Sequence, residues 1–136
     1  FVVVGRAHSD KKSIKSFCKE FSNFEYIEQT DNMAKLIRKS DLSIGSAGTT
    51  TWERCFLGLP SIIFVTSNDQ KDIASAVSKK KCAINIGEIK KSNIMNLNSI
   101  IQNFKSQDFE DMSKKCMNLV DGKGVIRITN EIRKLS

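Results

Sequence analysis

The chain has 136 residues, of which 40% are hydrophobic and 27% charged, and its 22 Lys and Arg against 15 Asp and Glu give a net charge of +7. This composition, with one Pro and seven Gly, excludes a disordered, collagen-like or low-complexity chain. The length suits one domain, residues 1–136, and no apolar run approaches the roughly 20 residues of a membrane span.

The predicted strands are short apolar runs that alternate with helical patterns. They cover residues 1–4, 24–28, 41–45, 61–65 and 82–86. The run at 61–65 is continuous, apolar and rich in β-branched residues, which is typical of a strand buried on both faces. No signal-peptide pattern opens the chain. The first run begins in mid-strand without an initiator Met, so we expect a fragment or one half of a larger protein.

The predicted helices follow apolar residues spaced three and four apart. They are indicated at residues 10–21, 33–37, 49–57, 69–80, 92–104, 109–116 and 125–135. We expect Asp10 to cap the first helix and Ser92 the fifth. Gly58 stands where the third helix should end, and Pro60 follows it.

This alternation predicts an α/β fold: a Rossmann-like open parallel sheet with helices on both faces, followed by a helical tail. In such sheets the ligand lies outside the carboxyl ends of the strands. We therefore expect the functional residues in the loops that follow Val4, Glu28, Ile44, Val65 and Ile86.

Metal and nucleic-acid binding are not favoured by the residue pattern. The Lys-rich charge carries no interleaved aromatic residues and no nucleic-acid motif, so a solvated surface is the preferred interpretation. His8 has no metal-ligand partner at useful spacing, and an exposed loop residue is favoured over a substrate-facing one. We expect no metal, no cofactor, and buried reduced thiols in a cytoplasmic protein at Cys18, Cys55, Cys82 and Cys116.

The turn after the third predicted strand is built from small residues and runs directly into a helix. Such a turn lets a ligand approach the backbone, and the free N–H groups of the following helix favour an anion. The pattern predicts a phosphate or diphosphate site formed by Gly45, Ser46, Ala47, Gly48, Thr49 and Thr50. No Lys follows at the Walker spacing, and a tight turn with a Thr cap is the alternative.

Glu53 lies one helical turn after Thr49 and Thr50, so it can face the same ligand. A carboxylate can accept both hydrogen bonds of a ribose diol. The alternative is a capping box with Thr50, which would satisfy the start of the helix instead. Arg54 could pair with phosphate, but one step past Glu53 we expect it on another face.

Residues 40–61, with the core Thr50-Thr51-Trp52-Glu53-Arg54-Cys55 and the following Gly-Leu-Pro, closely resemble the UDP-sugar hydrolases of pseudaminic acid biosynthesis and their spore-coat polysaccharide relatives. More distantly, the stretch is similar to the C-terminal half of the glycosyltransferase that adds N-acetylglucosamine to peptidoglycan lipid intermediates. The resemblance covers nearly the whole chain, through residues 26–27, 31–34, 68–70, 73–74, 121–124 and 127–128.

The resemblance implies the C-terminal, nucleotide-binding half of a glycosyltransferase-B fold. It places the diphosphate on residues 45–50, the ribose on Glu53, the uracil beside Ile27 and the donor sugar near Gln70. Residues 5–9 lack the double glycine of the peptidoglycan enzyme, so the resemblance does not extend to their contact with the ligand. The family's catalytic His belongs to the N-terminal domain, so no catalytic residue is expected in this chain.

The expected function is the UDP-binding half of a hydrolase that releases UDP from an activated diacetamido-trideoxy sugar for nonulosonic acid synthesis. The expected partners are UDP or a UDP-sugar and the N-terminal domain of the parent protein. One alternative is the donor-binding domain of a UDP-sugar glycosyltransferase. The other is a basic α/β module that binds nucleic acid or protein.

Overall fold

The computed structural model describes residues 1–135, apart from the side chain of Ser92. The chain divides into two units, Phe1–Leu36 and a second unit from Ile37 onward. The division falls within the helix α2, Met33–Arg38. Each unit has its own parallel sheet.

The first unit contains β1 (Val2–Val4), α1 (Lys11–Lys19) and β2 (Tyr26–Glu28). The two strands are parallel, with Val2 opposite Tyr26 and Val4 opposite Glu28. Lys11 at the start of α1 reaches the carboxylate of Glu28, with Nζ 2.8 Å from Oε1. This ion pair joins the helix that follows β1 to the end of β2.

The second unit begins with β3 (Ser43–Ser46), α3 (Thr50–Phe56) and β4 (Ser61–Val65). A single turn of 3-10 helix (Asn68–Gln70), α4 (Lys71–Lys79) and β5 (Ile84–Glu88) follow. The three strands are parallel in the order β3-β4-β5. Their carboxyl ends therefore share one edge, which brings together the segments that follow Ser46, Val65 and Glu88.

Four helices complete the second unit: α5 (Lys91–Met95), α6 (Leu97–Asn103), α7 (Ser106–Leu119) and α8 (Gly124–Lys134). The carboxylate of Asp108 accepts a hydrogen bond from the N–H of Lys105 at 2.9 Å, which caps the start of α7. Within residues 1–135, no helix is long and apolar enough to cross a membrane.

The core of the second unit lies between the sheet and the helices α3, α4 and α7. Strand β4 is buried along its whole length, as its continuous apolar run predicts. One face of β4 supplies Ile63 and Val65 to this core. The helices and the turns between the elements supply Ala47, Cys55, Ala74, Val77, Cys82, Ala83, Met112 and Cys116.

The predicted strands all exist, and their boundaries shift where local turns compete. The fifth strand begins at Ile84 rather than at Cys82, because the Cys82 N–H donates to the Val77 carbonyl at 2.9 Å and closes α4. The second begins at Tyr26, because the Phe24 N–H donates to the Phe21 carbonyl in a preceding turn.

Two larger predictions differ from the structure. The described strands form a two-stranded and a three-stranded sheet instead of one sheet of five. The helix predicted at 92–104 is divided into α5 and α6 at Asn96. Asp10 stands at the N-cap of α1 without a side-chain capping bond. The cap predicted at Ser92 is wrong, because α5 begins at Lys91 with Lys90 at its N-cap, which puts residue 92 inside the helix.

Candidate functional site

The β3–α3 turn contains the six residues predicted to bind a diphosphate. The first two, Gly45 and Ser46, belong to β3 and lie opposite Ile63 and Phe64. Ala47 is fully buried, and its N–H donates to the Phe64 carbonyl at 2.9 Å. The first half of the turn is therefore anchored to the sheet.

The second half of the turn presents unused backbone donors. Within the described part of the chain, the N–H groups of Gly48, Thr49 and Thr50 donate to no backbone carbonyl. The helix bonds begin with the next two residues, since the N–H groups of Thr51 and Trp52 donate to the carbonyls of Gly48 and Thr49 at 3.0 Å. Three consecutive free N–H groups can bind an anion.

Gly48 is not required by the geometry of the fold. A Cβ added at this residue would meet the Ser46 Oγ at 3.8 Å, an ordinary van der Waals contact. The absence of a side chain therefore leaves open space beside the free N–H groups, where a ligand could approach the backbone.

Arg54 lies buried beneath the turn, on a face of α3 other than that of the exposed Glu53, as expected. It is only 5% exposed. Its Nη1 donates to the Ser43 Oγ at 3.0 Å, and its Nη2 donates to the Ser46 carbonyl at 2.8 Å and to the Thr51 Oγ1 at 2.9 Å. The signal for this placement is that positions 51, 54 and 55 share one helical face, and Thr51 and Cys55 are both buried.

The environment of Arg54 is unfavourable for an isolated cation. Burial lowers the pKa of Arg54, and the neighbouring Cys55 and Glu53 oppose that shift. The Nε atom is buried and has no hydrogen-bond partner in the described structure. The residues described here supply no carboxylate partner in an ion pair with Arg54.

Glu53 is exposed and does not form the predicted alternative capping box. Helix α3 begins at Thr50 with Thr49 as its N-cap, which makes Glu53 the fourth helical residue rather than the third. No side-chain hydrogen bond caps α3. The carboxylate is therefore not used by the start of the helix and can accept hydrogen bonds from a ligand.

Gln70 lies at the same edge of the sheet, after β4. Its Oε1 accepts hydrogen bonds from the Thr66 N–H at 3.1 Å and the Thr66 Oγ1 at 2.9 Å. These bonds hold the segment that leaves β4. They use the amide oxygen of Gln70, and its NH₂ group can donate to a ligand.

A cavity of about 260 Å³ lies at the carboxyl ends of β4 and β5, lined by Val65, Thr66, Ser67, Asn68, Lys71, Glu88 and Ile89. Glu88 accepts ion pairs from Lys71 at 3.6 Å and Lys90 at 3.4 Å. These two lysines lower the pKa of Glu88, Lys90 having the larger effect. Lys71 is thus a cation at this edge that the sequence pattern did not indicate.

A larger cavity lies at the opposite edge of the sheet. It has a volume of about 720 Å³, and its lining includes Asp41 and Pro60, which precede β3 and β4. In parallel strands the amino ends lie at the edge opposite the carboxyl ends. This cavity includes none of the predicted site residues.

Two predicted positions belong to the first unit. Ile27 lies half-buried in β2, opposite Val3. His8 is exposed, as predicted, and its Nδ1 accepts a hydrogen bond from the Asp10 N–H at 3.1 Å. His8 therefore supports the turn before α1.

The four cysteines are free and buried, as predicted. The Cys116 Sγ donates to the Cys82 carbonyl at 3.1 Å. Burial raises the pKa of Cys82, and the hydrogen bond with Cys55, followed by burial, raises the pKa of Cys116. Among the described residues, no group of three or more His, Cys, Asp or Glu could hold a metal ion.

Parallel strands joined by helices, with a turn of small residues at their carboxyl edge, define an α/β domain of the Rossmann-like class. The family model named glycosyltransferase family 28 C-terminal domain matches residues 1–125, so the chain belongs to that family. The predicted fold class, the C-terminal half of a glycosyltransferase-B fold, is thereby confirmed.

Two relatives are similar to most of the chain. The spore coat polysaccharide biosynthesis protein SpsG of Bacillus subtilis (strain 168) is 25% identical over 137 residues, which cover 98% of this chain and 40% of that protein. The uncharacterized protein MJ1062 of Methanocaldococcus jannaschii is 28% identical over 92 residues, which cover 65% of this chain and 19% of that protein. The chain thus spans less than half the length of either relative.

Proposed function

We propose that this chain is the UDP-binding half of a UDP-sugar hydrolase. The reaction would release UDP from an activated diacetamido-trideoxy sugar during nonulosonic acid biosynthesis. The observation that carries the proposal is the β3–α3 turn, where Gly48, Thr49 and Thr50 present free N–H groups beside open space. The family and the similarity to a polysaccharide biosynthesis protein support a nucleotide-sugar ligand.

In this proposal the predicted residues are assigned to different parts of the ligand. The turn residues 45–50 bind the diphosphate, Glu53 accepts hydrogen bonds from the ribose hydroxyls, Ile27 lies by the uracil, and Gln70 lies by the sugar. The free N–H groups would stabilise the negative charge that develops on UDP as it leaves. The cations Arg54 and Lys71 would strengthen that effect.

The remaining chemistry belongs to the parent protein. We assign the general base and the sugar pocket to its N-terminal domain, with the ligand between the two domains. This chain alone should then bind UDP without turnover. Four free thiols are the usual state in a reducing compartment, so the proposal places the protein in the cytoplasm.

The alternative favoured by the family name is the donor-binding domain of a glycosyltransferase. A transferase would use the same UDP contacts, but its acceptor would be a hydroxyl-bearing molecule instead of water. In the parent protein with a UDP-sugar, the hydrolase should release free sugar in water alone. A transferase should require a hydroxyl-bearing acceptor for UDP release.

The test of the shared UDP site is a titration of this chain with UDP, UMP, ADP and a single-stranded oligonucleotide at low and high salt. The proposed site predicts that UDP binds better than UMP and ADP, because the diphosphate and the uracil are both recognised. A basic module that binds nucleic acid predicts the opposite: the oligonucleotide binds best, and its affinity falls steeply with salt.

A further inference from the structure

The guanidinium of Arg54 is buried beneath the β3–α3 turn, and the described residues supply no carboxylate that forms an ion pair with it. A guanidinium has five N–H donors and is always charged in proteins. Arg54 is 5% exposed and uses two of its nitrogens in hydrogen bonds, while its Nε has no partner in the described structure. A buried charge without a counter-ion destabilises the folded state.

The acceptors of Arg54 lie on both sides of the β3–α3 turn. Ser43 is the first residue of β3 and Ser46 the last, and Thr51 is the second residue of α3. One side chain thus fastens the end of the strand to the beginning of the helix through contacts of 2.8 to 3.0 Å. The residues between these anchors include Gly48, Thr49 and Thr50, whose N–H groups are free.

The strand also leaves room for this arrangement. A Cβ added to Gly45 would lie 3.4 Å from the Nη1 of Arg54, at the lower limit of ordinary contact. Position 45 therefore has space for a methyl group, but a much larger side chain would press against the guanidinium.

We propose that Arg54 is a positioning residue for phosphate recognition: it holds the β3–α3 turn with its free N–H groups outward, and the phosphate groups of the ligand supply the counter-charge that the folded chain lacks. The proposal rests on the UDP site proposed above. Arg54 itself stays beneath the turn, and its charge acts on the ligand through a buried region where electrostatic interactions are weakly screened.

The test compares UDP with uridine, which lacks the phosphates, by competition calorimetry on the wild-type chain and on Arg54→Met and Arg54→Lys. Arg54→Met keeps the length of the side chain and removes its charge, so the preference for UDP over uridine should fall by about tenfold or more. Arg54→Lys keeps the charge and should retain most of the preference. Arg38→Met removes an exposed cation as the matched control and should leave the preference unchanged.

A purely structural role for Arg54 predicts a different pattern. Urea unfolding would then shift in both Arg54 variants, while the preference for UDP over uridine would stay as in the wild type, and this result would overturn the proposal. If Arg54→Met does not fold, Thr51→Val decides, because it removes one acceptor of the guanidinium at a residue that is only 1% exposed. A preference reduced about threefold supports the proposal, and an unchanged preference overturns it.

These outcomes separate the two proposals. If the wild-type chain does not bind UDP, the proposed function fails before Arg54 is tested. If the wild type prefers UDP and the folded Arg54→Met variant prefers it equally, only the role of Arg54 fails.

Discussion

The carboxylate of Glu53 forms no helix cap and no ion pair in the described residues, which makes its substitution informative. Glu53→Gln keeps the shape of the side chain and removes the charge that strengthens hydrogen bonds from the ribose hydroxyls. We expect UDP affinity to fall by about 1–3 kcal/mol, while 2′,3′-dideoxy-UDP binds the variant and the wild type equally. Calorimetric titration of both ligands measures this difference.

The matched control for this variant is Glu110→Gln, which neutralises an exposed carboxylate on α7. The melting temperature of Glu53→Gln should stay close to that of the wild type, since no side-chain bond caps α3. A clear drop in melting temperature with the ribose preference retained would remove Glu53 from the site.

Gly48 allows a steric test of the same site. Gly48→Val should leave the fold intact, because a Cβ here meets only the Ser46 Oγ at 3.8 Å. It should weaken UDP binding by about 2 kcal/mol or more, since the branched side chain would stand where the phosphates approach the free N–H groups. The measurement is UDP affinity, compared with Gly124→Val, where no atom lies within 4 Å of the added Cβ. Equal UDP affinities in the two variants would show that the turn only connects β3 to α3 and does not bind the phosphates.

The sequence indicated the residues of the β3–α3 turn better than the buried residue beneath it. Gly48 and Thr49 are recognisable because small residues and hydroxyls between a strand and a helix form a local pattern. Arg54 lies on a face other than that of Glu53, as expected, but its burial beneath the turn was not predicted. Its true direction depends on acceptors at Ser43 and Ser46, which the fold brings together but the spacing does not reveal.

At the scale of elements, the end of α3 depends on a glycine that also makes a close contact. Gly58 has a φ of +72°, and a Cβ here would lie 2.8 Å from the Ser113 Oγ and 3.0 Å from the Met117 Cγ on α7. Gly58→Ala should therefore combine backbone strain of about 1–2 kcal/mol with a packing cost of roughly 1–3 kcal/mol. Urea unfolding should show the loss.

Gly87 allows the backbone strain to be measured without the packing cost. Its φ is +78°, but an added Cβ meets only the Asn93 Nδ2 at 3.6 Å. Gly87→Ala should therefore lose about 1–2 kcal/mol from strain alone. Equal losses at the two positions would mean that α7 can move away from α3 without cost.

The ion pair between α1 and β2 predicts a pH dependence in the first unit. The hydrogen bond and charge of Lys11 lower the pKa of Glu28. Because the folded pKa is below the unfolded one, the pair stabilises the fold above the unfolded pKa, and this stabilisation is lost as the pH falls through the folded pKa. An NMR titration of the Glu28 carboxyl should show a low midpoint that rises toward the ordinary value in Lys11→Met. Lys12→Met is the control and should leave the midpoint low.

The types of the helices and strands could be predicted because the spacing of apolar residues is clear. Their boundaries could not be predicted in the same way. The continuous run of β4 is buried at every position, and its predicted and observed limits coincide at Ser61 and Val65. The limits of β5 moved because the Cys82 N–H closes α4 instead of joining the sheet. Such competition between a helix end and a strand is decided by three-dimensional packing, which propensity does not include.

For the whole molecule, the buried thiols predict how the two units unfold. In the first unit the buried hydrophobic side chains are Val4 and Cys18 among the described residues, whereas the second unit has a core that includes Cys55, Cys82 and Cys116. A unit with so small a core should open at lower urea. We expect a thiol reagent to modify one cysteine first and three together at higher urea, counted by mass spectrometry. Simultaneous modification of all four would show that the chain unfolds as one cooperative unit.

The order of the strands in the second sheet has a consequence for synthesis. Because β3, β4 and β5 are neighbours in the same order in which they occur in the chain, each can join the open edge of the one before it as the polypeptide leaves the ribosome. The β3–α3 turn is anchored by Phe64 and by Arg54, both of which emerge before Met112 and Cys116 complete the core. We therefore expect the nascent chain to form the β3–α3 turn before α7 has been translated.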